Sequence, residues 1–166
     1  ALGRKTDELI ITALDTTTVE VAAAASGLTL AKIMTAMETL GGNDVFEDGQ
    51  MTAIVPWNEW TDLLQIEQFA SSDYAKDNYP LLKGSEARFF LGTVWMPHSG
   101  LENLVSGGES KSYWFNHDAV GHASGADIKS DITWHGDRAA WFVNNMMSQG
   151  AVLIDGNGVV EIKVAR

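Results

Sequence analysis

Residues 1–14 read ALGRKTDELIITAL, and the reading of that run decides the rest of the chain. Leu2, Leu9, Ile10, Ala13 and Leu14 recur at helical spacing and predict one apolar face. Ala1-Leu2-Gly3 supplies no Ser, Thr, Asp or Asn to accept hydrogen bonds from the first free amide groups. A helix with a good face and no start signal is expected to be the end of a longer one. Asp15-Thr16-Thr17-Thr18 should stop it, because short polar and β-branched side chains compete with the helix.

Downstream, GLTLAKIMTAMETLGG (27–42) predicts a second helix over 29–40. Thr29 stands at the N-cap, Leu30, Ile33, Met34, Met37 and Leu40 form the stripe, and Gly41-Gly42 gives the stop. MTAIVPW (51–57) is a short apolar run closed by Pro56, which predicts a buried strand. Asn58 can cap a following helix over 58–69 that turns Trp60, Leu63, Leu64 and Phe69 inward.

SSDYAKDNYPLLKGS (71–85) reads as polar and irregular. ARFFLGTVWM (87–96) reads as one strand or two, interrupted at Gly92, and KSYWF (111–115) as another. HSGLENLVSGGES reads as loop and NHDAVGHASG as a turn-rich connection. ADIKSDITWHGDRAAWFVNNMMSQ has no clean period, so its second half stays open between strand and helix. Asn157-Gly158, between two β-rich runs, predicts a hairpin. Interleaved helices and antiparallel strands predict an α+β fold.

Composition narrows the classes of function. The chain has 166 residues, 45% of them apolar, enough for a real core. It has no Cys, so disulfide and thiolate chemistry are excluded. No apolar stretch approaches the ~20 residues of a membrane span. The formal charge of −11 lacks the basic cluster that a phosphate-gripping protein carries. It suits solubility, or a surface that lies beside nucleic acid without adhering to it. The six Trp residues (Trp57, Trp60, Trp95, Trp114, Trp134, Trp141) should divide between core and interface, the core being favoured at each.

Candidate chemistry is thin. His117, Asp118 and His122 form H-D-x-x-x-H. On a helix those two rings lie about 140° apart, and the i, i+4 zinc-protease pattern is absent. His135 and Asp137 flank Gly136 and read as a loop, and His98 follows Pro97 without a partner pattern. SGGESKS (106–112) has the glycines and Lys-Ser of a phosphate loop without its spacing, and reads as a surface loop. Asp7/Glu8 and Asp44/Glu47/Asp48 read as solvated charge. No G-x-S-x-G elbow or dinucleotide fingerprint occurs. No residue is assigned a catalytic, cofactor-binding or metal-binding role, and no cofactor is expected. A small metal-dependent hydrolase using His117, Asp118 and His122, and a non-catalytic binding module, are the rival readings.

In succession these segments resemble the major capsid proteins of tailed bacteriophages. The resemblance rests on GRKTDELI (3–10), GLTLAK (27–32), PWNEWTDLL (56–64), Ser71-Ser72-Asp73-Tyr74, and WFVNNMMSQGA with GVVEI (141–162). Residues 95–125 match least. It implies the Hong Kong 97-like capsid fold: an axial domain plus part of a peripheral domain with a truncated spine helix. The implied division is 1–15 as the end of the spine helix, 16–124 as axial domain, 125–155 as a peripheral-domain segment and 156–166 as a return strand. In that family an N-terminal arm and an extended loop precede the spine helix, and neither is in this sequence.

The implied function is a structural subunit of a phage or prophage icosahedral shell. Copies would assemble into five- and six-membered capsomers that enclose double-stranded DNA without binding it specifically. Scaffold, portal and decoration proteins would be further partners, with no membrane partner. The location would be the virion, assembled in the bacterial host cytoplasm. The rigid core would be 29–40, 51–57 and 58–69, with 41–50 and 98–112 as adjustable edges and 137–147 facing neighbours. Without the arm and extended loop, the chain should fold but stop at monomer or small oligomer.

Overall fold

The computed structural model of the chain describes residues 2–22, 27–70, 86–104 and 108–165. The SSDYAKDNYPLLKGS segment (71–85), residues 23–26 and residues 105–107, with the two end residues, lie outside the described residues. Among the described residues, four helices and eight strands form two sheets of very different character.

The larger sheet has the order β1-β8-β5-β2-β4-β3. Its strands are β1 (Glu20–Val21), β2 (Met51–Val55), β3 (Arg88–Phe90), β4 (Thr93–Pro97), β5 (Glu109–Asn116) and β8 (Val159–Ala165). β1 with β8 and β2 with β4 are parallel, and the other neighbours are antiparallel. All five residues of β2 are buried, as a strand covered on both faces requires. The run at 87–96, read as one strand or two, is two: β3 and β4 pair antiparallel as a hairpin. Leu91 and Gly92 close it with φ of 51° and 71°, the left-handed pair that a two-residue I′ turn demands.

One face of this sheet packs under α2 (Leu30–Gly42), α3 (Trp57–Gln65) and α4 (Glu67–Ala70). A single rung crosses five strands there: Val160, Trp114, Ala53, Trp95 and Arg88. The small Ala53 between two indoles lets Trp95 and Trp114 meet edge-on at 5.1 Å. Phe69 joins Trp60 at 5.6 Å and Phe90 at 5.3 Å, and the Arg88 guanidinium lies 5.5 Å from the Phe69 ring. The buried Glu59 carboxylate accepts hydrogen bonds from the Ser110 and Ser112 hydroxyls, tying α3 to β5.

The opposite face is covered by α1 (Leu2–Leu14) and a 3-10 turn over Ser99–Leu104, through Ile11, Leu14 and Leu101. The second sheet is one long hairpin, β6 (Val120–His135) paired with β7 (Ala140–Leu153). It leaves the main body at Ala119 and returns at Ile154, whose N–H donates to the Ala119 carbonyl at 2.8 Å.

Several local expectations need correction. Asn58 does not cap: α3 begins one residue earlier, with Pro56 at the N-cap and rigid φ suited to a helix start. The helix over 58–69 is broken at Ile66, where the backbone turns extended (ψ 118°) before α4. Thr29 occupies the N-cap of α2 without a side-chain bond, and α2 runs on through Gly41-Gly42 to a C-cap at Asn43. The Asp62 carboxylate accepts from the Leu28 N–H at 3.0 Å and steadies that entry instead. Met34 is 49% exposed, because α2 buries the Ile33, Ala36 and Leu40 side. On α1 the deepest residues are Ile11, Ala13 and Leu14, with Leu9 and Ile10 half-buried, so the face is rotated toward Leu101.

Two loop assignments change as well. HSGLENLVSGGES contains the Ser99–Leu104 turn with buried Leu101, and Glu109–Ser112 belong to β5 instead of a surface loop. In NHDAVGHASG, only His117–Ala119 turns, capped by the Asn116 side chain, and Val120 already opens β6. Asn157-Gly158 is not a hairpin: β7 and β8 belong to different sheets, and Gly156–Gly158 is a 3-10 turn capped by Asp155. Gly158 is there for close approach, since a Cβ would sit 2.7 Å from the Ala119 Cβ.

Candidate interaction surface

The β6–β7 hairpin is the chemically distinctive surface of the molecule. Residues paired across an antiparallel ladder share a face. Trp134 with Trp141 and Ile132 with Val143 therefore make one apolar face near the tip, bordered by Ser130 and Asn145. Trp134 is 51% and Trp141 67% exposed. Their rings meet edge-on at 5.3 Å, and the Ser130 hydroxyl donates to Asn145 Oδ1 at 2.6 Å. On the other face, Phe142 contacts the His135 ring at 5.4 Å. A cleft of about 480 Å³ opens at the tip between His135, Arg138, Trp141 and Phe142.

Further down, the same strand alternation turns Met147, Gln149, Ala151 and Leu153 to one side, and all four are half-buried. α1 covers this root. Thr6 Oγ1 donates to Gln149 Oε1 at 2.6 Å, and Leu153 and Ile10 both pack against the cluster that holds Leu14. The root of the hairpin is thus part of the body and the tip is bare. Exposed large apolar residues are ordinary when scattered, but a contiguous patch marks a surface that meets another.

α1 is anchored at its other end by charge. Asp15 Oδ1 accepts from Lys111 Nζ and from the Tyr113 hydroxyl, each at 2.6 Å. Lys111 lies 3.4 Å from buried Glu161, and Lys163 pairs with Glu20. Burial alone would raise the Asp15 pKa. The bonds from Lys111 and Tyr113 and the lysine charge outweigh it and hold the carboxyl below its ordinary value. The Asp15 bond pushes Lys111 up, against its partial burial. Burial, the Asp15 bond and the Glu161 and Asp15 charges push the Tyr113 phenol far up. Lys163 is raised by its bond to Glu20.

The residues singled out for chemistry are dispersed. His117 sits on the 3-10 turn with Nε2 2.6 Å from Thr52 Oγ1, and the Asp118 N–H is held by Asn116 Oδ1. His122 is exposed on β6. Among the described residues, no three His, Asp or Glu side chains gather as a metal site would require. His135 and Asp137 lie 3.7 Å apart at the hairpin turn, and His98 is 3.5 Å from Asp7 of α1. Asp44, Glu47 and Asp48 are exposed. Of the six tryptophans, Trp60, Trp95 and Trp114 are core, whereas Trp57, Trp134 and Trp141 face outward. The apolar tip was missed by periodicity. The signal lay in ITWH-GDRA-AWFV, where two β-rich runs flank a turn.

Comparison with known proteins agrees with this architecture. A family model described as phage capsid protein matches residues 1–166. A solved chain from Mycobacterium phage Che8 superposes with a TM-score of 0.74 at 17% identity, covering 97% of this chain and 58% of that one. The capsid of an empty GTA particle gives 0.70 at 10% identity, covering 99% and 63%. A virus-like particle from Pyrococcus furiosus gives 0.64 at 13% identity, covering 97% and 63%. At these identities the likeness is one of fold. The chain spans about three fifths of the length of these solved chains. No curated protein matches it in sequence.

Proposed function

The chain belongs to the phage capsid protein family, and on that premise we propose that it is the larger part of a major capsid subunit that works by self-association. It has the fold of tailed-phage capsid subunits. Its task is to present edges in fixed orientation, so that repeated heterologous contacts close into five- and six-membered rings. Copies of itself are the primary partner. Scaffold, portal and decoration proteins are secondary, and packaged DNA is enclosed without specific grip.

In this reading the six-stranded sheet and its helices are the axial body, from residue 16 to 124 with the return strand of 156–166. α1 is the end of the spine, and 125–155 is the peripheral segment. The protein makes and breaks no bond. Its place is the virion shell, assembled in the bacterial cytoplasm. The hydrolase reading finds no support in the placement of His117, which is engaged by Thr52.

The observation that carries the proposal is the bare Ile132/Trp134/Trp141/Val143 face on a hairpin rooted against α1. Interfaces are enriched in such aromatics, and few residues carry most of the contact energy. Sedimentation of the purified chain should show concentration-dependent association into small oligomers. Trp141→Lys should weaken it at least about tenfold, equivalent to ~1.4 kcal/mol, with circular dichroism unchanged. Association equally strong with Lys at 141, or closed shells formed by this chain alone, sinks the reading.

A further inference from the structure

Asn157-Gly158 is the one Asn-Gly pair in the sequence, and it lies where the chain leaves β7 and crosses to β8. Asn-Gly is the pair most prone to intramolecular deamidation. Glycine has no side chain to shield its backbone nitrogen, and it tolerates the backbone rotation that the reaction needs. The ring that must form holds the Gly158 nitrogen with the Cα, Cβ, Cγ and carbonyl carbon of Asn157. It closes only when Asn157 turns about its Cα–C bond until Cβ eclipses the Gly158 nitrogen. The 3-10 turn over Gly156–Gly158 keeps that rotation well away, at a ψ of about −20 to −30°.

The turn is clamped at the bond that would have to rotate. The Gly158 N–H donates to the Asp155 carbonyl at 3.3 Å, and the Asn157 carbonyl accepts from Asn43 Nδ2 at 3.3 Å. Both groups belong to one peptide plane, so the rotation breaks both bonds together. The Asn157 N–H is held in addition by Asp155 Oδ1 at 2.9 Å. Gly158 itself is buried against Ala119, which resists displacement of its Cα.

We propose that Asn157 is a modification site kept dormant by this turn: when the joint between the two sheets opens, Asn157 deamidates and the joint cannot close again. In the open chain the Gly158 nitrogen gives up its proton and bonds to Asn157 Cγ. The bond from Cγ to the side-chain nitrogen breaks, and that nitrogen leaves as ammonia with the proton. Water then opens the succinimide at either carbonyl, giving aspartate or isoaspartate. In isoaspartate the main chain runs through Cβ and Cγ and is longer by a carbon atom. The bonds from Gly158 to Asp155 and from Asn43 to Asn157 then cannot both return. The reaction is internal to one chain and needs only water and a bond rotation, so it requires no free surface.

Ageing the chain in mildly alkaline buffer, followed by peptide mass mapping and an isoaspartate assay, tests this. In denaturant, Asn157 should deamidate before every other asparagine. In the folded chain it should react at least about tenfold more slowly, since only the opened fraction reacts. Asp155→Ala removes the side-chain clamp and should raise the folded rate about fivefold, the shift that loss of a typical cap allows. Asp155→Ser can cap the same N–H and should stay slow. Folded chains carrying isoaspartate should exchange the Ile154 amide, which bonds to Ala119, faster than the parent, with β2 amides unchanged. Equal rates in folded and denatured chains, or equal folded rates in Asp155→Ala and the parent, overturn the clamp. An asparagine that reacts before Asn157 in denaturant overturns the site. Isoaspartate chains with the parent's Ile154 exchange overturn the one-way opening.

Discussion

The six-stranded sheet and the β6–β7 hairpin use the same residues for opposite ends. Trp95 and Trp114 are sealed into a rung of the large sheet with no exposure, whereas Trp134 and Trp141 form an equally close edge-on pair in solvent. Both pairs are set by antiparallel β-structure. What separates them is the second layer. Helices α2, α3 and α4 lie over the first pair, and among the described residues nothing lies over the second. A tryptophan pair therefore reports its partner layer, not its own strand.

That contrast can be broken at its strongest point first. Trp95→Ala should cost about 3–5 kcal/mol in denaturant unfolding, since the cavity opens beside Trp114 and Phe69 in a close-packed core. A loss under 1 kcal/mol would mean that the large sheet is no better packed than the hairpin. Next is the joint between the two regions. Gly158→Ala forces a Cβ to within 2.7 Å of Ala119 and should cost about 1–3 kcal/mol by overpacking. It should also loosen the return of the hairpin, read as faster exchange of the Ile154 amide relative to β2. Unchanged stability would show that the joint yields.

The clasp between α1 and the sheet should have a smaller effect with a characteristic pH dependence. The folded Asp15 carboxyl titrates below its unfolded value, so its contribution is present above that value, near pH 3.9. It is lost as pH falls through the lower folded value. Because Asp15 is about one third exposed, Asp15→Asn should cost no more than about 1 kcal/mol at neutral pH. The difference from the parent should vanish in acid. A difference that persists unchanged below pH 3.9 would rule out the ionised clasp. Tyr113 acts at the other limb. Its phenol is raised, so its contribution is full below the unfolded value near pH 10 and is lost as pH rises further. Smallest of all, Trp141→Ala should shift the unfolding free energy of the dilute chain by less than about 0.5 kcal/mol. A cost like that of Trp95 would mean that the tip is covered within one chain.

Where residues met a single environment, their pattern was readable in advance. MTAIV is buried on both faces and reads as one apolar run closed by Pro56. α2 has its stripe, and Gly92 marks the interruption in 87–96 that the structure resolves as a tight turn. Residues 120–153 were opaque because burial there follows position along the hairpin more than strand alternation. Near the tip, apolar residues occur on both faces, so Trp141, Phe142 and Val143 in succession are all exposed. Asn157-Gly158 misled for another reason. The glycine that suits a hairpin turn serves here to let the chain pass Ala119 while it crosses from one sheet to the other.

The chain by itself determined the α+β class, the family likeness, the buried central strand and the absence of thiol chemistry. These depend on local pattern and on residue identity. Tertiary structure decided which tryptophans are core, how far α1 covers the hairpin and which carboxylate is clasped. Each of those depends on what lies opposite a residue across space, and hydrophobic burial and ion pairing act between neighbours in space regardless of their separation along the chain.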